Sequence, residues 1–93
     1  YPQAQHLFFG HLGDNNIHLM TGPHAPEEHD TVESTVYRDL EGRHGTVSAE
    51  HGIGFIKKAY LHHTRSATEL ALLKRLKGAL DPHSTLNPGR VID

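Results

Sequence analysis

Leu7-Phe8-Phe9-Gly10-His11-Leu12-Gly13-Asp14-Asn15-Asn16-Ile17-His18-Leu19-Met20 decides how this chain begins to fold. Two apolar runs flank Gly13-Asp14-Asn15-Asn16, a dense turn signal. Gly, Asn and Asp tolerate left-handed backbone, and Asp and Asn side chains bond nearby amides. The pattern predicts a β-hairpin with a four-residue loop at 13–16, its second strand ended by Thr21-Gly22-Pro23. In that register Leu12 pairs with Ile17, and His11 with His18. Opposed Cβ atoms on such a ladder lie about 4.5–5.5 Å apart. Two imidazoles at that distance can share one ion at metal–nitrogen bonds near 2.0–2.1 Å. Spacing alone leaves a second reading open, that of two surface histidines beside a polar turn.

Pro26-Glu27-Glu28 suits a helix start, because proline fits the first helical position and acids complement the positive end of the dipole. Val32, Val36 and Leu40 follow at i, i+4, i+8 and form one apolar stripe, with Gly42 and Gly45 after it. Thr46 to Ala49 predicts a short strand. A short helix is expected over 53–61, with Ile53, Ile56 and Tyr60 on one face. Ser66-Ala67-Thr68-Glu69 is a capping box. It opens a helix lined by Leu70, Leu73, Leu76 and Leu80, with Lys74, Arg75 and Lys77 on the other side, stopped by Asp81-Pro82. Asn87-Pro88-Gly89 is a further turn. A hairpin, a short strand and two or three helices in 93 residues make an α+β piece.

Composition narrows the function. Leu, Ile, Val and Phe supply about 24% of residues, above the roughly 20% below which chains stay disordered. A formal net charge of −2 gives no basic excess to drive nucleic-acid binding. No apolar run approaches the roughly 20 residues of a membrane span. With no cysteine, disulfides and thiolate metal sites are excluded; a cytoplasmic location fits, as does a membrane-peripheral one. Histidine is the outlier at ten of 93 residues, and only His62 and His63 are adjacent. Most of the ten are expected on the surface: His62-His63 as a loop after a helix, His44 as a cation at a helix end.

Glu50-His51-Gly52-Ile53-Gly54 joins an acid and a base to two glycines. Glu50 is a candidate oxygen-donor ligand and His51 a candidate base; the plainer reading is an acid near a helix start. Two histidines and a carboxylate leave a coordination position open, the habit of catalytic rather than structural metal sites.

Read together, these stretches resemble a known family. Phe9-Gly10-His11-Leu12-Gly13-Asp14-Asn15-Asn16-Ile17-His18 is similar to the GHxGDGNxH motif of FAD-linked oxidases, the D-2-hydroxy acid dehydrogenases related to vanillyl-alcohol oxidase. Gly45-Thr46-Val47-Ser48-Ala49-Glu50-His51-Gly52-Ile53-Gly54 resembles their GxxSAEHGxG motif, followed by Lys57 in the expected place. Leu76-Lys77-Gly78-Ala79-Leu80-Asp81-Pro82, continuing to Leu86-Asn87-Pro88-Gly89-Arg90-Val91, is similar to their closing KxxLDPxxxLNPGKV. Residues 1–93 are thereby expected to be the C-terminal segment of such a flavoprotein, from its substrate (cap) domain and tail, with the FAD-binding domain upstream. A first residue that is Tyr rather than Met agrees with a fragment.

The resemblance implies roles. His11 and His18 match paired metal ligands, Glu50 the third ligand, His51 the proposed catalytic base, and Asn87 an asparagine that reaches the flavin. Asn15 replaces the family's usual glycine, a change a left-handed turn tolerates. Met20 stands where 2-hydroxyglutarate-type members carry a substrate-touching asparagine, so the particular 2-hydroxy acid is left open. The expected activity is hydride transfer from a small D-2-hydroxy acid to FAD, aided by a divalent metal, Zn²⁺ first. The segment alone is expected to be silent and to self-associate as a homo-oligomer. The rivals are a non-enzymatic metal-binding or interaction module and a metal-dependent hydrolase.

Overall fold

A computed structural model describes all residues from Tyr1 to Asp93. The chain is α+β and divides into two compact units, Tyr1–Thr35 and Val36–Asp93. No helix is long and apolar enough to cross a membrane.

The first unit is built on an antiparallel pair, β1 (Gln5–Phe9) and β2 (His18–Gly22). Leu7 pairs with Met20, Phe8 with Leu19 and Phe9 with His18. The hairpin is therefore present, but its register differs from the expected one. Pairing stops at Phe9, so His18 faces Phe9 and not His11, and Leu12 does not pair with Ile17. The connection is longer than four residues because Leu12–Asp14 folds into a 3₁₀ turn. Asp14 N–H and Asn16 N–H both donate to His11 O, at 3.0 and 3.2 Å. Those bonds satisfy locally the backbone groups that a longer ladder would have used. Across the pair, the Thr21 hydroxyl lies 2.8 Å from His6 Nδ1 and 2.9 Å from His24 Nε2, and Tyr1 meets the His24 ring edge-on at 5.0 Å.

Pro26–Glu28 forms a 3₁₀ turn that leads into α1 (His29–Arg38). Glu28 accepts the Ala25 amide at 2.9 Å, satisfying an N-terminal donor as a capping carboxylate should. Val32, Val36 and Leu40 are all half-buried, as the i, i+4, i+8 stripe requires.

The second unit carries the small core, Val47 and Leu61. Tyr37 and Tyr60 pack with ring centroids 4.9 Å apart. The strand expected over Thr46–Ala49 is absent. Val47 is buried there, but Thr46 and Ser48 bond each other locally at 3.4–3.5 Å, and no second strand lies alongside to form a ladder. The helix expected over 53–61 is displaced toward the C-terminus. Gly54 has φ +56°, which no right-handed helix contains, and regular 3₁₀ geometry runs only from Lys58 to His63. Ile56 is consequently exposed, while Ile53 and Tyr60 are half-buried.

Helix α2 (Ala67–Leu80) begins as the capping box predicts. Ser66 Oγ accepts Glu69 N–H at 3.2 Å, and Glu69 accepts Ser66 N–H at 2.7 Å. That backbone bond is the largest influence holding the Glu69 carboxyl below its ordinary range. Leu70 and Leu73 are half-buried, whereas Leu76 and Leu80 are exposed. Lys77 continues the buried face at i+7 from Leu70, contrary to its expected place on the solvent side.

Candidate functional site

The turn of the hairpin is shaped by Gly10 and Asn15. A Cβ on Gly10 would lie 2.3 Å from Asn16 O, so the chain passes itself too closely for any side chain there. Asn15 takes φ +56° in the left-handed region and donates its N–H to Leu12 O at 3.1 Å. The substitution of asparagine for glycine is thus accommodated. His11 is exposed at the head of the 3₁₀ turn, beyond the last paired residue. His18, half-buried, stacks its ring on Phe9 at 5.2 Å with an interplanar angle of 8°. The two histidines sit on one hairpin but are not opposed across it.

In the second unit Glu50 and His51 are both exposed, with Oε1 and Nε2 3.2 Å apart. Sequence adjacency suggests divergent side chains; the bend at this point brings them together instead. A carboxylate beside an imidazole orients the ring, the pairing general-base histidines use.

Asn87 lies on an exposed turn at φ +46°, and its carbonyl accepts Arg90 N–H at 3.2 Å. The tail that follows is stitched back onto the segment after Glu50-His51. Val91 N–H donates to Gly54 O at 2.8 Å. Lys58 Nζ donates to Gly89 O at 3.1 Å and pairs with the Asp93 carboxylate, which is held below its ordinary pKa range by that contact. The Arg90 guanidinium sits 4.6 Å above the Phe55 ring, a cation–π contact. The second and third sequence motifs are in this way tied into one surface, by bonds between residues more than thirty apart.

Asp81 organises the whole C-terminal loop, a role that sequence reasoning missed in taking Asp81-Pro82 only as a helix stop. Its carboxylate is buried. It pairs with Lys77 and accepts Thr85 N–H at 2.8 Å, the Thr85 hydroxyl at 3.0 Å and Leu86 N–H at 2.9 Å. Lys77 Nζ also donates to Leu86 O at 2.5 Å. The Lys77 contact first, then the Leu86 amide, holds the Asp81 carboxyl far below the ordinary range. The readable signal was an acid at the helix end with Thr four residues on, a spacing that closes a tight side-chain-to-amide loop.

A cleft of about 150 Å³ opens between the Lys58–His63 turn, α2 and the tail, lined by Lys58, Leu61, His62, Leu70, Lys74 and Ile92 among others. It contains none of His11, His18, Glu50, His51 or Asn87.

The family model of the C-terminal domain of FAD linked oxidases matches residues 3–91. The D-2-hydroxyglutarate dehydrogenase of Xanthomonas citri pv. viticola is 42% identical over 100 residues, which is 100% of this chain and 21% of that protein. The D-2-hydroxyglutarate–pyruvate transhydrogenase of Saccharomyces cerevisiae is 41% identical over 98% of this chain and 19% of its own length. The mitochondrial D-2-hydroxyglutarate dehydrogenase of Bos taurus is 40% identical over 98% of this chain and 17% of its own. The chain spans about one-fifth of the length of these relatives. No solved structure matches it. With the family model covering nearly every residue, the chain belongs to the FAD-linked oxidase C-terminal domain family.

Proposed function

We propose that this chain forms the C-terminal part of a flavoprotein dehydrogenase that oxidises a D-2-hydroxy acid, with 2-hydroxyglutarate as the first substrate to try. The observation that carries this is the 40–42% identity, across essentially the whole chain, to three proteins each named for D-2-hydroxyglutarate. Met20 remains a place where the choice of acid can differ from theirs. The stand-alone module and the metal-dependent hydrolase gain no comparable support.

His51 takes the proton of the substrate's C2 hydroxyl, with the Glu50 carboxylate 3.2 Å away to orient its ring. Removing that proton raises electron density at C2 and favours departure of its hydride. FAD, when bound, supplies the hydride acceptor. Asn87, exposed on a turn anchored by Gly89 and Arg90, would contact the flavin when that cofactor is bound. His11, His18 and Glu50 are the two imidazoles and the carboxylate expected to hold a divalent ion, Zn²⁺ first, by their donor types. Such an ion would supply positive charge for the substrate's hydroxyl and carboxylate. A cytoplasmic place and a homo-oligomeric state complete the proposal, supported respectively by a cysteine-free sequence and by an apolar hairpin face that stands exposed.

The test separates the base from the ligands. In the flavoprotein, His51→Ala keeps FAD and metal while flavin reduction slows about 10²–10⁴-fold. Glu50→Ala loses metal and flavin reduction together. Wild-type reduction in a metal-replete His51→Ala protein would sink the base assignment.

A further inference from the structure

Glu41, His62 and His63 converge in the second unit. One ligand-capable atom from each lies within 4.8 Å of the other two. His63 Nδ1 is in hydrogen-bond contact with Glu41 Oε1 across 22 residues of sequence, and the His62 and His63 rings have centroids 4.0 Å apart. None of the three lies in the motifs that carry the redox reading, and the His62-His63 pair, expected in a loop after a helix, instead ends the Lys58–His63 turn.

We propose that Glu41, His62 and His63 form a separate divalent-metal site of the Zn²⁺ class, with a coordination position left open to solvent. Two imidazoles and one carboxylate are the donors that borderline ions such as Zn²⁺ prefer. The His63 side chain is 13% exposed and the Glu41 side chain 55% exposed, so the cluster opens to solvent on its Glu41 side. Donors bound at 2.0–2.1 Å to one tetrahedral ion stand roughly 3.3 Å apart. An ion entering between His63 and Glu41 takes the place of their hydrogen bond: His63 binds through Nδ1 as the neutral ring with its one proton on Nε2, so no proton is lost from that ring. The bound ion clamps the loop after α1 to the Lys58–His63 turn.

Zinc titration calorimetry on the full chain tests this, in a His11→Ala/His18→Ala background that removes the ligands of the redox reading. That background should still bind one Zn²⁺ per chain. His62→Ala, at an exposed position whose loss leaves the far-ultraviolet dichroism unchanged, should weaken that binding about 100-fold or more. Removing a supporting partner of a ligand already costs 10–100-fold. The near-isosteric Glu41→Gln should weaken it similarly. A background variant that binds no zinc, or His62→Ala and Glu41→Gln variants with undiminished affinity, would overturn the site and leave a hydrogen-bonded His–Glu pair. Failure of the redox metal reading shows differently: His11→Ala/His18→Ala would then bind as many ions as the wild type.

Discussion

Replacing Gly10 with alanine should open the hairpin turn, while the same change at Gly13, three residues on, should not. At Gly10 the new methyl meets Asn16 O at 2.3 Å, Asn16 C at 3.0 Å and Ile17 Cα at 3.1 Å. All three are backbone atoms, so no side chain can swing aside. A comfortable carbon–oxygen approach is about 3.3 Å or more, so the turn must give by roughly 1 Å. Forcing a methylene-sized group into a packed site costs about 1–3 kcal/mol, which is roughly 5- to 150-fold in the equilibrium for opening the turn. A Cβ on Gly13 meets nothing within 4 Å, so Gly13→Ala should be neutral or stabilise by up to about 1 kcal/mol through the unfolded state. The Phe9–His18 stack reports on the turn directly. Proton NMR should show His18 ring resonances displaced by Phe9 in wild type and Gly13→Ala, and collapsed toward random-coil positions in Gly10→Ala. Amide exchange across β1 and β2 should accelerate only in Gly10→Ala. Identical His18 shifts and exchange in the two variants would refute the close-approach argument.

Asp81→Ala should unravel the loop over Thr85–Asn87, read as loss of amide protection at Thr85 and Leu86. Because Asp81, Asp93, Glu69 and Glu41 all have pKa values lowered in the folded chain, protonation favours unfolding. Their stabilisation should be complete above about pH 5 and drain as pH falls through the carboxylate range, seen as a falling thermal midpoint that Asp81→Asn makes less steep. Ser66→Ala should cost about 1 kcal/mol, roughly 4–8 °C in the midpoint of a domain this size, with helix content falling at the start of α2. With Phe8 70% and Leu7 58% exposed, light scattering should show association that Phe8→Ser reduces; a clean monomer at high concentration would remove the homo-oligomer from the proposal.

Periodicity made the helices legible. The Val32-Val36-Leu40 stripe and the Ser66–Glu69 box are local, and local chemistry decided them. The hairpin was legible as an element but not in register. Gly13-Asp14-Asn15-Asn16 marks a turn, yet a 3₁₀ segment at Leu12–Asp14 absorbed residues that pattern alone places on strands. Thr46-Val47 reads as a strand because β-branched residues favour one, but a strand needs a neighbour to bond with, and no sequence window shows whether one exists. Gly54 interrupts a helical pattern through a single positive φ. Of the candidate site, the residue types were readable, and the Asn15 turn behaved as its chemistry allows. The Glu50–His51 contact and the Asp81 loop are local, set by a bend and by side-chain-to-amide bonds that residue types alone do not fix, whereas the Glu41-His62-His63 cluster depends on how distant segments meet, which spacing does not encode.

The most direct test of the central claim is single-turnover, anaerobic mixing of the flavoprotein carrying this chain with D-2-hydroxyglutarate, followed at the oxidised-flavin absorption band. The account predicts that the D enantiomer bleaches the flavin and the L enantiomer does not, with the D rate falling about 10²–10⁴-fold in His51→Ala. A flavin that stays oxidised with D-2-hydroxyglutarate and with other small D-2-hydroxy acids would contradict it.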